Sequence, residues 1–244
     1  MIVINNYVRS ATFNPLTDWT TDPLHGVWAS DPLWTPPADG GAVSSWRNGG
    51  TGTGDLAQGS GTKQPTYWAS TAAFGNRPTV QGDGTDDYLA ATFGAAVSSF
   101  PYYVVCVFAK GKAANASEAI WDDVSPSGTG YALWTDTGAS TWRTAVTVNL
   151  TGGTANTNPH MAVVTHNGAS SSIAIDGTSV ASGSVGVVTD GATGVTLFAA
   201  RGGATYNSSG HIALWLLFAT DPTAQAEWAT FKAWVTSFYG ITVA

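Results

Sequence analysis

Residues 102–109 read Tyr-Tyr-Val-Val-Cys-Val-Phe-Ala, an unbroken apolar run built almost wholly from aromatic and β-branched side chains. A run this short and this rich in such residues forms a strand, and with no polar side it must be covered on both faces. That places it at the centre of a sandwich. Around it, short candidate strands recur at 119–122, 131–135, 141–149, 160–166, 172–176, 178–181, 195–200 and 211–219. In the segment 141–149, Trp142, Thr144, Val146 and Val148 share one face, and Arg143, Ala145, Thr147 and Asn149 the other. Asp176-Gly177 stands between two alternating segments, a strong hairpin signal. Regular short strands with turn punctuation and no intervening helices predict an all-β, two-sheet antiparallel jelly-roll sandwich.

One helix is expected, over residues 222–239. Thr220 or Asp221 caps it, Pro222 fits its first turn, and Trp228, Phe231, Val235 and Phe238 form an apolar stripe. Gly240 then sits where a helix end wants positive φ. Residues 1–33 differ in character from the rest of the chain. A short strand candidate, 2–8, precedes a segment with Trp19, Trp28 and three X-Pro pairs. This N-terminal arm either lies across the sandwich or docks on another subunit, or it is simply a first strand and a surface wrap.

Composition narrows the partners. Charged residues make up 10% of the chain, against about 25% in ordinary globular proteins, and the net charge is −7. The nine basic residues are scattered, so no footprint for nucleic acid or an anionic membrane exists. All acidic residues except Glu118 and Glu227 are aspartates, which favour turns over helices. Cys106 stands alone within an apolar strand, which excludes an intramolecular disulfide and predicts a buried thiol. No apolar segment is long enough to span a membrane, and the first residues lack the pattern of a signal peptide.

The stretch 76–89 reads Asn-Arg-Pro-Thr-Val-Gln-Gly-Asp-Gly-Thr-Asp-Asp-Tyr-Leu. Physically it is strand, tight turn, strand, with glycines supplying positive φ and aspartates accepting turn amides. Asp83, Asp86 and Asp87 also have the composition of a calcium loop, although turn chemistry alone accounts for them. The stretch resembles the Gly-Arg-Pro-x-x-x-Phe-Asp-Gly-x-Asp-Asp-Tyr-Leu signature of concanavalin A-like (LamG-like) jelly-roll domains. Residues 40–67 resemble that family's opening, with its Val-x-x-Trp strand and Gly-rich loop, and residues 212–241 its last strand and closing helix. The likeness covers residues 34–244. One departure stands out: the family's Phe before Asp-Gly is Gly82 here, so another side chain must supply that core anchor.

Within that family, Leu-Trp-Thr-Pro-Pro-Ala-Asp-Gly-Gly-Ala-Val-Ser-Ser-Trp-Arg (33–47) looks most like minor tail proteins of phages that infect actinobacteria. The resemblance implies a virion tail protein, made in the host cytoplasm without an export signal. Its partners would be other tail proteins, further copies of itself and a glycan of the host envelope. The alternatives are an architectural tail or capsid-decoration protein without a glycan ligand and, third, a glycan-cleaving enzyme.

Catalysis finds little support in the residues. Glycosidases commonly use two carboxylates at set separations, and the nearest approach to a glucanase pattern is Glu118 with Asp122 and Asp123, without a second glutamate. No Gly-x-Ser-x-Gly elbow is present, and His25, His160, His166 and His211 form no metal-ligand spacing. The chain is therefore expected not to be an enzyme and to need no cofactor, calcium excepted. Sugar sites pair flat aromatic rings with Asp and Asn, a composition found at Trp121 with Asp122 and Asp123, at Trp134 with Asp136, and at Trp142. These six residues are the candidate carbohydrate site, against the alternative that the rings fill the core.

Overall fold

A computed structural model describes residues 13–97, 101–124, 132–186 and 192–244. The candidate strand 2–8 and Tyr131 lie outside the described residues. The described chain forms two antiparallel sheets and one α-helix. The first sheet runs β14 (Thr178–Gly183), β13 (Ser171–Ile175), β12 (Pro159–His166), β7 (Tyr102–Ala109), β16 (His211–Phe218), β5 (Arg77–Gln81) and β4 (Thr66–Thr71), with β1 (His25–Trp28) also paired to β16. The second runs β11 (Asn149–Gly152), β10 (Ala139–Ala145), β9 (Leu133–Asp136), β8 (Glu118–Asp122), β15 (Ala192–Leu197), β6 (Leu89–Val97), β3 (Leu56–Ala57) and β2 (Ser45–Trp46).

Strand β7 is central and buried at every position. Tyr102, Val104, Cys106 and Phe108 face the core between the sheets, while Tyr103, Val105 and Val107 face a second core on the outer side. The α-helix α1 (Trp228–Tyr239) covers that outer side through Phe231, Trp234, Val235 and Tyr239. Phe13, Leu16 and Trp19 join it there, so residues 13–33 lie across the sandwich and contribute β1 to the first sheet. Among the described residues no helix is long and apolar enough to cross a membrane.

Several boundaries differ from the sequence-based expectation, each for a local reason. The helix starts at Trp228, not 222, because Asp221 caps a separate 3-10 turn, Pro222–Ala224, and Gln225 is extended behind it. Gly240 ends the helix at φ 75°, as its position predicts. The segment 141–149 breaks after Ala145. There the amides of Val146, Thr147 and Val148 all converge on the Val185 carbonyl, and Val148 turns out to solvent. Between residues 42 and 47 only Ser45–Trp46 is paired as a strand, with Ala42 making a lone bridge to Thr66.

The aspartate turn is also corrected. It joins β5 of the first sheet to β6 of the second, so it carries the chain between sheets and closes no hairpin. Gly84 has φ 79°, but Gly82 serves a different need: a Cβ there would lie 2.2 Å from the Ser208 carbonyl oxygen. The fully buried Phe198, just past the end of β15, packs against Gly82 and supplies the missing aromatic anchor from a distant part of the chain.

Candidate functional site

Strand β8 organises the outer face of the second sheet. A bulge between Ala119 and Trp121 turns both Ile120 and Trp121 into the core, which leaves Ala119 and Asp122 on the outer face. On β9, Leu133 points inward and Trp134 outward. Ala119, Ala132, Ala145 and Ala200 lie beneath and around Trp134, and these small side chains leave a cleft of about 220 Å³. Asp122, Arg201, Tyr206, Thr147 and Asn149 complete its walls.

The far wall is a loop, residues 198–206, that continues from β15. Five non-glycine residues have positive φ among the described residues, and three of them, Phe198 (68°), Arg201 (54°) and Tyr206 (57°), are in this loop. Such backbone costs on the order of 1 kcal/mol per residue and persists only where the surroundings fix it. The fixing bonds are to β8. The Phe198 N–H donates to the Ile120 carbonyl at 3.1 Å, the Ala119 N–H to the Tyr206 carbonyl at 2.8 Å, and the Arg201 N–H to Asp122 Oδ2 at 3.0 Å.

Asp122 is 7% exposed and accepts a second amide, that of Asp123, at 2.8 Å. Burial pushes its carboxyl up to about 6, against the pull of those two amides. Beside Trp134 on the same face, Asp136 pairs with Arg143 at 2.9 Å, and Arg143 stands directly opposite Trp134 across the β9–β10 pair.

The six candidate residues thus separate. Asp122 and Trp134 meet in the cleft, and Asp136 lies alongside. Trp121 and Trp142 are each 1% exposed in the core and offer no face to a sugar. Asp123 is buried at 4% exposure, with Thr193 Oγ1 at 3.4 Å. Arg201, Tyr206 and Asn149 are not foreseen from sequence, since they come from segments remote from Trp134. The Arg-Gly-Gly at 201–203, one of few arginines in a glycine-rich loop, is the available signal.

Glu118, the other carboxylate of the glucanase-like pattern, serves the fold. It lies 3.1 Å from the Lys110 ammonium, both side chains wholly buried. It also accepts the amides of Gly111 and Lys112 at 2.9 Å and the Ser208 hydroxyl at 2.5 Å. The four histidines are likewise held singly, His25 by Asn48, His160 by Asp176 and Asn156, His166 by Thr144, and His211 by Thr79.

Asp83, Asp86 and Asp87 bring carboxylate oxygens within 4.8 Å of one another and are the residues that would hold a cation. Asp83 Oδ1 already accepts the amides of Thr85, Asp86 and Asp87, while Asp87 Oδ2 accepts that of Asp83. Burial alone would raise the Asp83 carboxyl, but those amides hold it below its usual value. Burial, with Asp83 beside it, pushes Asp87 up to about 6.

No family model and no curated protein matches the chain. Solved structures do match in fold. A Trypanosoma rangeli sialidase in complex with sialic acid aligns at TM-score 0.56 and 10% identity, over 87% of this chain and 32% of that one. The same sialidase with the inhibitor DANA aligns at 0.54 and 11%, over 81% and 30%. The Ruminococcus gnavus sialidase CBM40 bound to sialyllactose aligns at 0.40 and 13%, over 51% and 79%. The chain therefore spans about a third of the length of the Trypanosoma sialidases. These matches overturn the expectation that the chain is not an enzyme. Its fold is shared with enzymes, and sialidases are among the glycosidases that depart from the two-carboxylate scheme, so the missing carboxylate pair excludes nothing. At this identity the likeness shows the fold alone, a two-sheet antiparallel β-sandwich with one α-helix.

Proposed function

We propose that the cleft at Trp134 binds one ring of a host-envelope glycan, and that the sandwich is carried on a phage tail as an adhesion module. The observation that carries the glycan reading is the pairing of a half-buried indole with a strained, β8-tethered loop over a polar cleft. Strain of this kind gathers at ligand sites. Trp134 offers a face for a pyranose, and Asp122, Tyr206 and Asn149 offer hydroxyl partners at the walls. At about 220 Å³ the cleft is smaller than the roughly 300–1,000 Å³ that engulfs a drug-sized ligand, which suits one ring of a longer chain lying on the surface. Contacts so few are weak singly, and several copies on one particle would make them useful through avidity. The tail location is supported by the resemblance of residues 33–47 to minor tail proteins.

Trp134→Ala tests the reading. The purified variant should keep the fold and lose retention on host-envelope polysaccharide; undiminished retention would rule the cleft out as the binding site. Assaying the same samples for released sugar distinguishes capture from cleavage. An architectural role has its own observation, Leu33 at 71% exposure beside Pro36 and Pro37, an apolar edge open to a neighbouring subunit. Failure of Leu33→Asp protein to enter particles, with envelope binding intact, would favour it.

A further inference from the structure

On the other side of the sandwich, α1 leaves part of the first sheet uncovered. There Tyr103 of β7, Val163 and Thr165 of β12, and Ser172 of β13 floor a groove of about 470 Å³, walled by Trp228 and Thr223. Its lining differs from the apolar cover nearby: five hydroxyl side chains and the Asn167 amide line it, and the charged ones, Asp221 and Lys232, are of opposite sign.

Trp228 is a platform held in place. Its core side packs against Trp19, with centroids 6.4 Å apart, and Phe231, at 5.5 Å, both tilted by 31°. The indole stays half-buried, and its remaining surface lines the groove. A fixed aromatic face loses little entropy on binding, and a ring of neutral donors and acceptors matches hydroxyls better than it matches charge or hydrocarbon. Nucleic acid would need a cationic surface, and a docking helix would need an apolar one.

We propose that this groove is a second carbohydrate site, for a neutral oligosaccharide, on the face opposite the Trp134 cleft. The proposal stands independently of the cleft, since the two share no residue. Two sites on opposite faces would let one domain bridge two glycan chains, a gain in avidity that one site cannot give.

The test is an NMR titration of the Trp228 indole N–H with neutral tetrasaccharides of glucose, galactose, mannose and N-acetylglucosamine. At least one should shift that signal in the unaltered protein, and equally in Trp134→Ala. Ser172→Tyr fills the groove with a residue suited to an exposed strand position, and should weaken the interaction about tenfold or more while the thermal midpoint holds. The proposal is overturned if no tetrasaccharide moves the Trp228 signal, if the shift survives Ser172→Tyr, or if Trp134→Ala abolishes it. Trp228→Ala is unsuitable alone, because it also removes packing against Trp19 and Phe231.

Discussion

The Asp122 carboxylate, buried in β8, holds the backbone N–H of Arg201 at 3.0 Å from a point 79 residues further along the chain. This bond joins the sheet to the loop that walls the cleft, and it gives the site a pH signature. Asp122 keeps its proton to about pH 6 in the fold, against an ordinary value of 3.8. A raised folded value means the native state binds more protons between those limits, so this contribution to stability is full below about pH 4 and is lost as pH rises through 6. His25, lowered by burial to about 4, and His166, lowered to about 3, act in the opposite sense and add stability as pH rises to their ordinary value of 6.5. The wild-type profile is therefore partly levelled. Asp122→Asn isolates the carboxylate: relative to wild type it should gain on the order of 2 kcal/mol between pH 4 and 7, measured by urea unfolding. A pH-independent difference would refute the buried, proton-holding Asp122.

Tryptophans that look alike in sequence should separate by experiment. Trp142→Ala removes a ring that packs edge-on against Phe108 at 5.4 Å in the inter-sheet core, and should cost about 3–5 kcal/mol. Trp121→Ala should behave the same way. Trp134→Ala, on the outer face, should cost less than half as much. Thermal denaturation of the three variants decides this, and equal losses would mean that Trp134 is a core residue.

Why sequence alone does not sort those rings is a matter of parity. Alternation tells which residues share a face, but it does not tell which face is covered, and the bulge in β8 breaks alternation by sending Ile120 and Trp121 inward together. The core strand Tyr102–Ala109 is legible because it has no polar face to misplace, and the Asp176-Gly177 hairpin because both residues must take positive φ, 52° and 82°. The aspartate turn reads only as strand, tight turn, strand because local sequence does not record which sheet the next strand joins. Arg201, Tyr206 and Asn149 reach the cleft through contacts far apart in the chain, and Phe198 replaces the ring absent at Gly82 in the same way. Half of the site is therefore visible in sequence, the half that sits on one strand pair.

Glu118 invites misreading in mutagenesis. It is wholly buried against the Lys110 ammonium, which also donates to the carbonyls of Lys112 at 3.0 Å and Ala113 at 2.6 Å. Glu118→Gln leaves that ammonium buried without its counter-charge and should destabilise the protein by about 3–5 kcal/mol. Chemical unfolding of the variant checks it, and a loss under about 1 kcal/mol would show that the pair is not the pin between residues 110–112 and Ser208. Any fall in sugar binding by this variant is then to be weighed against its unfolded fraction.

The aspartate turn has two physical readings that one residue can separate. Asp83 Oδ1 accepts three successive amides, so as a turn residue it acts without any ion. The turn in turn supports the cleft loop, since Asn207 donates to the Thr85 carbonyl and Gly84 to that of Ser208 at 3.0 Å. Asp83→Ala should cost on the order of 1 kcal/mol, because water can reach two of the three amides it releases. The same loss in millimolar calcium and in chelator is the outcome expected of turn chemistry. If the wild type instead gains stability in calcium, and Asp86→Asn removes that gain, the carboxylates gathered within 4.8 Å are metal ligands. Calcium would then tighten the turn beneath residues 207–210, and glycan binding at Trp134 should strengthen with it.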